Sequence, residues 1–140
     1  MYYLDTSVVV AYYCPERLSE KTEQFATGGG RIAISSLTEL EFFSAVSRKV
    51  REGDLRKDDA GRILATFLGH IDSQFYTLIQ VNDGHYRLAR DWIGLMTTSL
   101  RSLDALHLAV AFSEGYKIVT ADQRLAMSAA ELGQEAVLLE

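Results

Sequence analysis

The sequence predicts an α/β layer fold on a mostly parallel central sheet of about five strands, in a single domain over residues 1–140. Three observations predict it. Short β-patterned runs alternate with longer helix-patterned runs from end to end. Glycine and proline mark the boundaries between them. The chain of 140 residues, 48% of them hydrophobic, has the size of one ordinary domain and can fill a core, and no Ser/Pro-rich or charge-block stretch reads as a linker.

The elements follow in order. Residues 1–4 (MYYL) form an apolar run suited to a buried strand. Asp5, Thr6 and Ser7 follow, and residues 8–13 start a helix that Pro15 ends. Residues 19–27 form a second helix, stopped by the glycines at 28–30. Residues 31–35 (RIAIS) read as the second strand. Ser36 opens a long helix to about Arg51, with Gly53 as its stop. Another helix starts at Asp54 or Lys57 and runs to about His70. Residues 75–81 (FYTLIQV) are rich in β-formers and read as the third strand. Asn82 or Asp83 caps a helix through Ile93, and residues 96–101 are a loop. Ser102 caps an apolar helix over 103–114, ended by Gly115. Residues 117–120 (KIVT) are the fourth strand, residues 122–132 the last helix, and residues 136–139 (AVLL) the fifth strand.

Composition narrows the function. Charged residues make up 24% of the chain, and the net charge is −5. That balance counts against a nucleic-acid ligand unless several acids are committed to cations. Cys14 is the only cysteine, which rules out an internal disulfide and a Cys-rich zinc site and fits a reducing compartment. The first residues carry no basic segment of the kind that opens a signal peptide. The longest apolar run, residues 103–112, is too short to cross a bilayer. The expectation is a cytoplasmic protein with no membrane attachment.

In a parallel α/β sheet, sites form at the carboxyl ends of the strands. Asp5 directly follows the first strand, and Asp122 follows the fourth by one residue. Each equally suits a helix cap. Glu39 has Phe43, Val46 and Val50 at i+4, i+7 and i+11, which puts it at the N-terminal end of an apolar stripe. A lone buried carboxylate is costly and needs a partner or a metal. A capping box over Ser36-Leu37-Thr38-Glu39 would also account for it. Asp104 opens the most apolar helix, where it either complements the helix dipole or joins the other acids. Packed together, four like charges would oppose folding, and a hard divalent cation removes the conflict. All-oxygen ligands suit Mg²⁺, Mn²⁺ or Ca²⁺. His107, inside so apolar a helix, reads as a hydrogen-bonded core residue rather than a ligand or base. Arg101 and Arg124 lie near the acids, placed either to touch a phosphate or to pair with a carboxylate.

Four segments carry a family resemblance: YLDTS at 3–7, SSLTELEF at 35–42, LRSLDALHLA at 100–109 and IVTADQRLA at 118–126. Together, and in this order, they resemble the PIN domain, and within it the VapC-type toxins of bacterial toxin–antitoxin pairs. The resemblance covers essentially the whole chain. It implies a three-layer fold with helices on both faces of the sheet and an acidic pocket at the strand ends. It implies Mg²⁺- or Mn²⁺-dependent cleavage of RNA by water, leaving a 5′-phosphate. Asp5, Glu39, Asp104 and Asp122 fall on the family's acidic positions, with Asp5 and Asp104 as the most direct metal ligands. Thr6, Ser7 and Thr120 match the hydroxyl residues that would fix those acids. A VapB-type antitoxin and a homodimer are the partners it implies.

Other readings remain beside it. A phosphatase of the haloacid dehalogenase type needs a second aspartate two residues after the first, where this chain has Ser7. A DNA nuclease with the same metal site and a non-catalytic domain that only binds a protein partner stay open.

Overall fold

The computed structural model describes all 140 residues. In chain order the elements are β1 (Tyr2–Leu4), α1 (Thr6–Tyr13), α2 (Ser19–Ala26), β2 (Ile32–Ser35), α3 (Ser36–Arg51), α4 (Lys57–Asp72), β3 (Thr77–Ile79), α5 (Asp83–Gly94), α6 (Ser102–Ser113), β4 (Lys117–Thr120), α7 (Gln123–Glu131) and β5 (Ala136–Leu138). The sheet runs β3-β2-β1-β4-β5, and every neighbouring pair is parallel. The strand count and direction agree with the expectation drawn from alternation.

Side-chain alternation along the strands feeds two cores. Leu4, Ile32, Ile34 and Val119 point to one face, against Val8 and Val9 of α1, Phe42 and Val46 of α3, and Phe67 of α4. Tyr3, Ala33 and Ile118 point to the other, against Leu108 and Val110 of α6 and Leu125 and Ala129 of α7. Ala89 of α5 packs on Ala105, Leu106 and Ala109 of α6. The small alanines let the two helices approach closely, and they leave α6 buried along most of its length.

The order places a topological switch at β1. The chain winds outward through β2 and β3, then returns to lay β4 on the other side of β1. Parallel strands that diverge in this way open a crevice at their carboxyl ends, which is where such sheets hold ligands. Asp5 directly follows β1 and Asp122 follows β4 by one residue, so the two flank that crevice.

Several boundaries differ from expectation, each for a local reason. The first helix begins at Thr6, not Val8, because Asp5 already has the extended backbone of an N-cap. Ser35, not Ser36, caps α3, and its capping box pairs it with Thr38. The box expected over Ser36 to Glu39 is therefore not formed, and Glu39 is left without that structural duty. Arg101 holds the cap position of α6, and Ser102 is the first helical residue. The third strand pairs only over Thr77–Ile79, since β3 is an edge strand with one partner. Helices α6 and α7 both end in Schellman turns at glycines with positive φ. At Gly115 (φ 73°) the amide donates to Phe112 and that of Tyr116 to Ala111. Gly133 (φ 75°) repeats the pattern with Ala130 and, through Gln134, Ala129.

Candidate active site

Asp5 is the best-anchored acid. Only 7% exposed, it sits at the carboxyl end of the central strand. Its backbone amide donates to the Val119 carbonyl at 2.9 Å, which locks the end of β1 to β4. Its Oδ2 accepts two hydroxyls, Ser7 Oγ at 2.8 Å and Thr120 Oγ1 at 2.8 Å. Thr120 Oγ1 in turn accepts the Asp122 amide at 3.0 Å, and Ser7 Oγ accepts the Ala121 amide at 3.3 Å. The two hydroxyls fix the carboxylate plane and tie the loop after β4 to the start of α1. Oδ1 lies 4.0 Å from His107 Nε2.

Asp104 is the third residue of α6 and is half-buried. Burial pushes its carboxyl above the usual range, and the charges of Asp5, Asp122 and Glu41 push it further. His107 opposes them only in part. Asp122 caps α7, with Oδ1 accepting the amides of Arg124 at 2.8 Å and Leu125 at 3.4 Å.

The long helix α3 contributes Glu41 to this cluster, not Glu39. Glu41 Oε1 accepts the Thr6 hydroxyl at 2.7 Å and forms a hydrogen bond with His107 Nε2. Burial acts to raise the Glu41 carboxyl, but the hydrogen bond and electrostatic attraction of His107, with the Thr6 hydroxyl, outweigh it and hold the group below the ordinary carboxylate range. Glu39 is half-exposed and does not figure among the charges acting on Asp104. The reason is helical geometry. Residues two apart on a helix point roughly 200° apart, so Glu39 and Glu41 flank the buried Thr38–Phe42–Val46 stripe on opposite sides. Only one of them turns toward α1 and α6. The apolar-stripe argument found a carboxylate beside the stripe, and the cluster lies on the other side of it. A second carboxylate at 41 was the available signal.

His107 is the hydrogen-bonded core histidine expected of so apolar a helix, buried with 1% exposure. Its partners, however, belong to the site. Nδ1 meets the Tyr3 hydroxyl at 2.6 Å, and Nε2 reaches Glu41 and lies 3.2 Å from Thr6 Oγ1. Thr6 therefore anchors Glu41, whereas Ser7 and Thr120 anchor Asp5.

A cavity of about 130 Å³ opens beside the acids, lined by Ser99, Arg101, Asp104, Asp122, Arg124 and Ser128. Arg101 and Arg124 are exposed there. Neither joins an ion pair; the charged pairs of the chain are Arg62–Asp59, Arg90–Asp91, Lys117–Glu135 and those of His107. Both guanidinium groups are free to meet an anion at the mouth of the acidic cluster.

The donor set fits a hard divalent cation. The acids present carboxylate oxygens, with Ser7 and Thr120 hydroxyls behind Asp5. The repulsion that Asp5, Asp122 and Glu41 exert on Asp104 is what such a cation relieves. The acids do not close by themselves into a three-ligand cage. Mg²⁺ in general keeps several waters and binds through one or two carboxylates plus substrate oxygens.

The carboxylates thus gather at the switch point of a five-stranded parallel sheet. The PIN domain model fits residues 2–130, and the chain belongs to the PIN domain family. Ribonuclease VapC3 of Pyrobaculum aerophilum is 26% identical over 124 residues, which cover 88% of this chain and 90% of that protein. Among solved structures, Mycobacterium tuberculosis VapC20, described as a Sarcin-Ricin loop cleaving toxin, superposes with a TM-score of 0.74 at 16% identity, covering 99% of both chains. FitAcB from Neisseria gonorrhoeae superposes with a TM-score of 0.72, also at 16% identity, covering 99% of this chain and 96% of that one. At such identities the solved structures bear on the fold.

Proposed function

We propose that this chain is a metal-dependent endoribonuclease of the VapC type, the toxin of a toxin–antitoxin pair, cleaving RNA phosphodiesters with water as the nucleophile. One observation carries the reading. Asp104 is held above the ordinary carboxyl range by burial and by Asp5, Asp122 and Glu41 around it, at the switch point of the sheet. Such crowding is costly to a protein that leaves it uncompensated.

Asp5 and Asp104 are the most direct ligands for Mg²⁺, or for Mn²⁺ in its place. Glu41 takes the role first expected of Glu39, and Asp122 completes the set. A bound divalent ion supplies positive charge for a phosphate oxygen and lowers the pKa of water. The protein's own part is placement. Ser7 and Thr120 hold Asp5 Oδ2 and leave Oδ1 for the site. Thr6 and His107 hold Glu41. Arg101 and Arg124 meet phosphates flanking the scissile one, offsetting the repulsion an acidic protein presents to a nucleic acid.

RNA as the substrate is supported by the name of the P. aerophilum relative and the description of M. tuberculosis VapC20. An antitoxin partner of the VapB type is supported by neighbours solved as complexes, among them VapBC2 of Rickettsia felis bound to a DNA fragment from the promoter. A homodimer and a cytoplasmic location belong to the same reading. No helix is long and apolar enough to cross a membrane.

The test is a gel assay with Mg²⁺ on RNA and single-stranded DNA of one sequence. Cleavage of RNA to 5′-phosphate ends, abolished by Asp104→Asn and by chelation, is the expected result. Cleavage of DNA alone would replace the substrate, and equal activity of Asp104→Asn and the parent would remove the metal site.

A further inference from the structure

Behind the acids lies a second polar structure with no direct part in the cluster. Tyr3, Ser35 and Thr38 are fully buried, and His107 is buried at its edge. They come from four elements, β1, β2, α3 and α6. Tyr3 is the hub: its hydroxyl lies 2.8 Å from Ser35 Oγ, 3.4 Å from Thr38 Oγ1 and 2.6 Å from His107 Nδ1. His107 continues the chain to Glu41 through Nε2.

The direction of donation follows from the end groups. Burial holds the Tyr3 phenol well above its ordinary range, so it keeps its proton. Glu41, a carboxylate, only accepts, so His107 Nε2 carries a proton and donates to Oε1. On its other side the ring meets the Tyr3 hydroxyl through Nδ1, and Tyr3 meets Ser35 Oγ. The run Ser35 to Tyr3 to His107 to Glu41 is one continuous relay.

Apolar residues of similar size would fill this core at no desolvation cost. The relay is therefore best explained by where it ends. Glu41 Oε1 receives both the His107 ring and the Thr6 hydroxyl, while neither reaches Oε2. The same ring stands 4.0 Å from Asp5 Oδ1, so it sets the spacing between an acid of the β1 end and an acid of α3.

We propose that Tyr3 and His107 are positioning residues for Glu41, the buried relay from Ser35 fixing that carboxylate in one orientation with Oε2 left for the divalent ion. The proposal rests on the metal-dependent reading above. Tyr3 and His107 touch neither the ion nor RNA.

Mn²⁺ binding to the parent, Tyr3→Phe, His107→Leu and His107→Gln, measured by water-proton relaxation, tests it. His107→Leu should weaken binding about 10- to 100-fold, the usual effect of losing an outer partner of a ligand. Tyr3→Phe removes one oxygen, should stay folded, and should weaken binding in the same direction. His107→Gln keeps an N–H donor toward Glu41 and should recover most of the loss. The KM for RNA at saturating Mn²⁺ should not move. His107 ring ¹⁵N shifts should show Nε2 protonated. Parent-like Mn²⁺ affinity in both His107→Leu and Tyr3→Phe overturns the proposal, as does His107→Gln binding as weakly as His107→Leu, or a bare Nε2. If His107→Leu does not fold, Tyr3→Phe and the ring shifts decide alone. A parent that binds no Mn²⁺ overturns the metal-dependent reading and this proposal with it; a binding parent with unaffected variants overturns only the positioning.

Discussion

Thr120 donates its hydroxyl to Asp5 Oδ2 at 2.8 Å across the junction where β1 and β4 lie side by side. The two residues are far apart in sequence; Thr120 ends β4 and Asp5 directly follows β1. The same Thr120 oxygen receives the Asp122 amide, so one hydroxyl sets the orientation of one acid and the entry of the chain into the next.

Thr120→Val keeps the shape and removes both bonds. It leaves the buried Asp5 carboxylate one donor short and the Asp122 amide without its acceptor. A loss of about 1–3 kcal/mol of stability is expected. Cleavage should fall about 10- to 100-fold, as for other partners that orient a ligand. Denaturant melts and the RNA gel assay read the two separately.

Glu41→Gln and Glu39→Gln separate the two carboxylates of α3. The first removes the charge beside Asp104 and one of the two carboxylate oxygens, while its amide oxygen can still accept from Thr6 and His107. Cleavage should drop by at least about tenfold. The second alters a half-exposed side chain outside the cluster and should leave the rate within about twofold of the parent, with stability changed by no more than about 0.5 kcal/mol. Single-turnover rates at saturating Mg²⁺ compare them.

The acids give the metal-free protein a specific pH response. Asp104 is raised above its ordinary value of 3.8, so its contribution to stability is full below that value and is lost as pH rises through the raised one. Glu41 is lowered from 4.5, so its contribution is present above 4.5 and is lost as pH falls through the lowered one. Asp104→Asn should therefore stabilise the chelated protein at neutral pH and not at acid pH. Because Asp104 is half-exposed, the gain is at most about 1 kcal/mol, or roughly 3 °C in Tm. Mn²⁺ should stabilise the parent more than the variant. Thermal melts across pH with chelator and with Mn²⁺ show both effects.

Arg101→Ala and Arg124→Ala should raise KM for RNA with little change in kcat, since both line the mouth of the acidic cavity and pair with no acid. Each lost phosphate contact should reduce the slope of log K against log salt by about 0.7 on single strands. Fluorescence titrations at several salt concentrations measure it.

Much of the site was legible because its residues sit at strand ends. Asp5 follows β1 directly and Asp122 follows β4 by one residue, and a strand end in a parallel sheet predicts a ligand position without knowledge of the packing. Asp104 was legible as an acid on an otherwise apolar helix. Glu41 was not, because periodicity identifies the buried stripe of α3 but not which flank faces the other acids. His107 was read correctly as buried and incompletely as core. An apolar neighbourhood in sequence does not reveal that Tyr3 and Glu41 arrive from elsewhere to satisfy its two nitrogens.

By itself, then, the sequence determined the layer fold, the element order and three of the acids, since these follow from local pattern, turn residues and strand ends. Tertiary structure alone decided the strand order β3-β2-β1-β4-β5, the choice of Glu41 over Glu39, and the joining of Tyr3, Thr6, Glu41 and His107 into one network. The last two outcomes depend on how helices α1, α3 and α6 are rotated about their axes. That rotation is set by packing against the sheet, through contacts between residues as far apart in the chain as Tyr3 and His107.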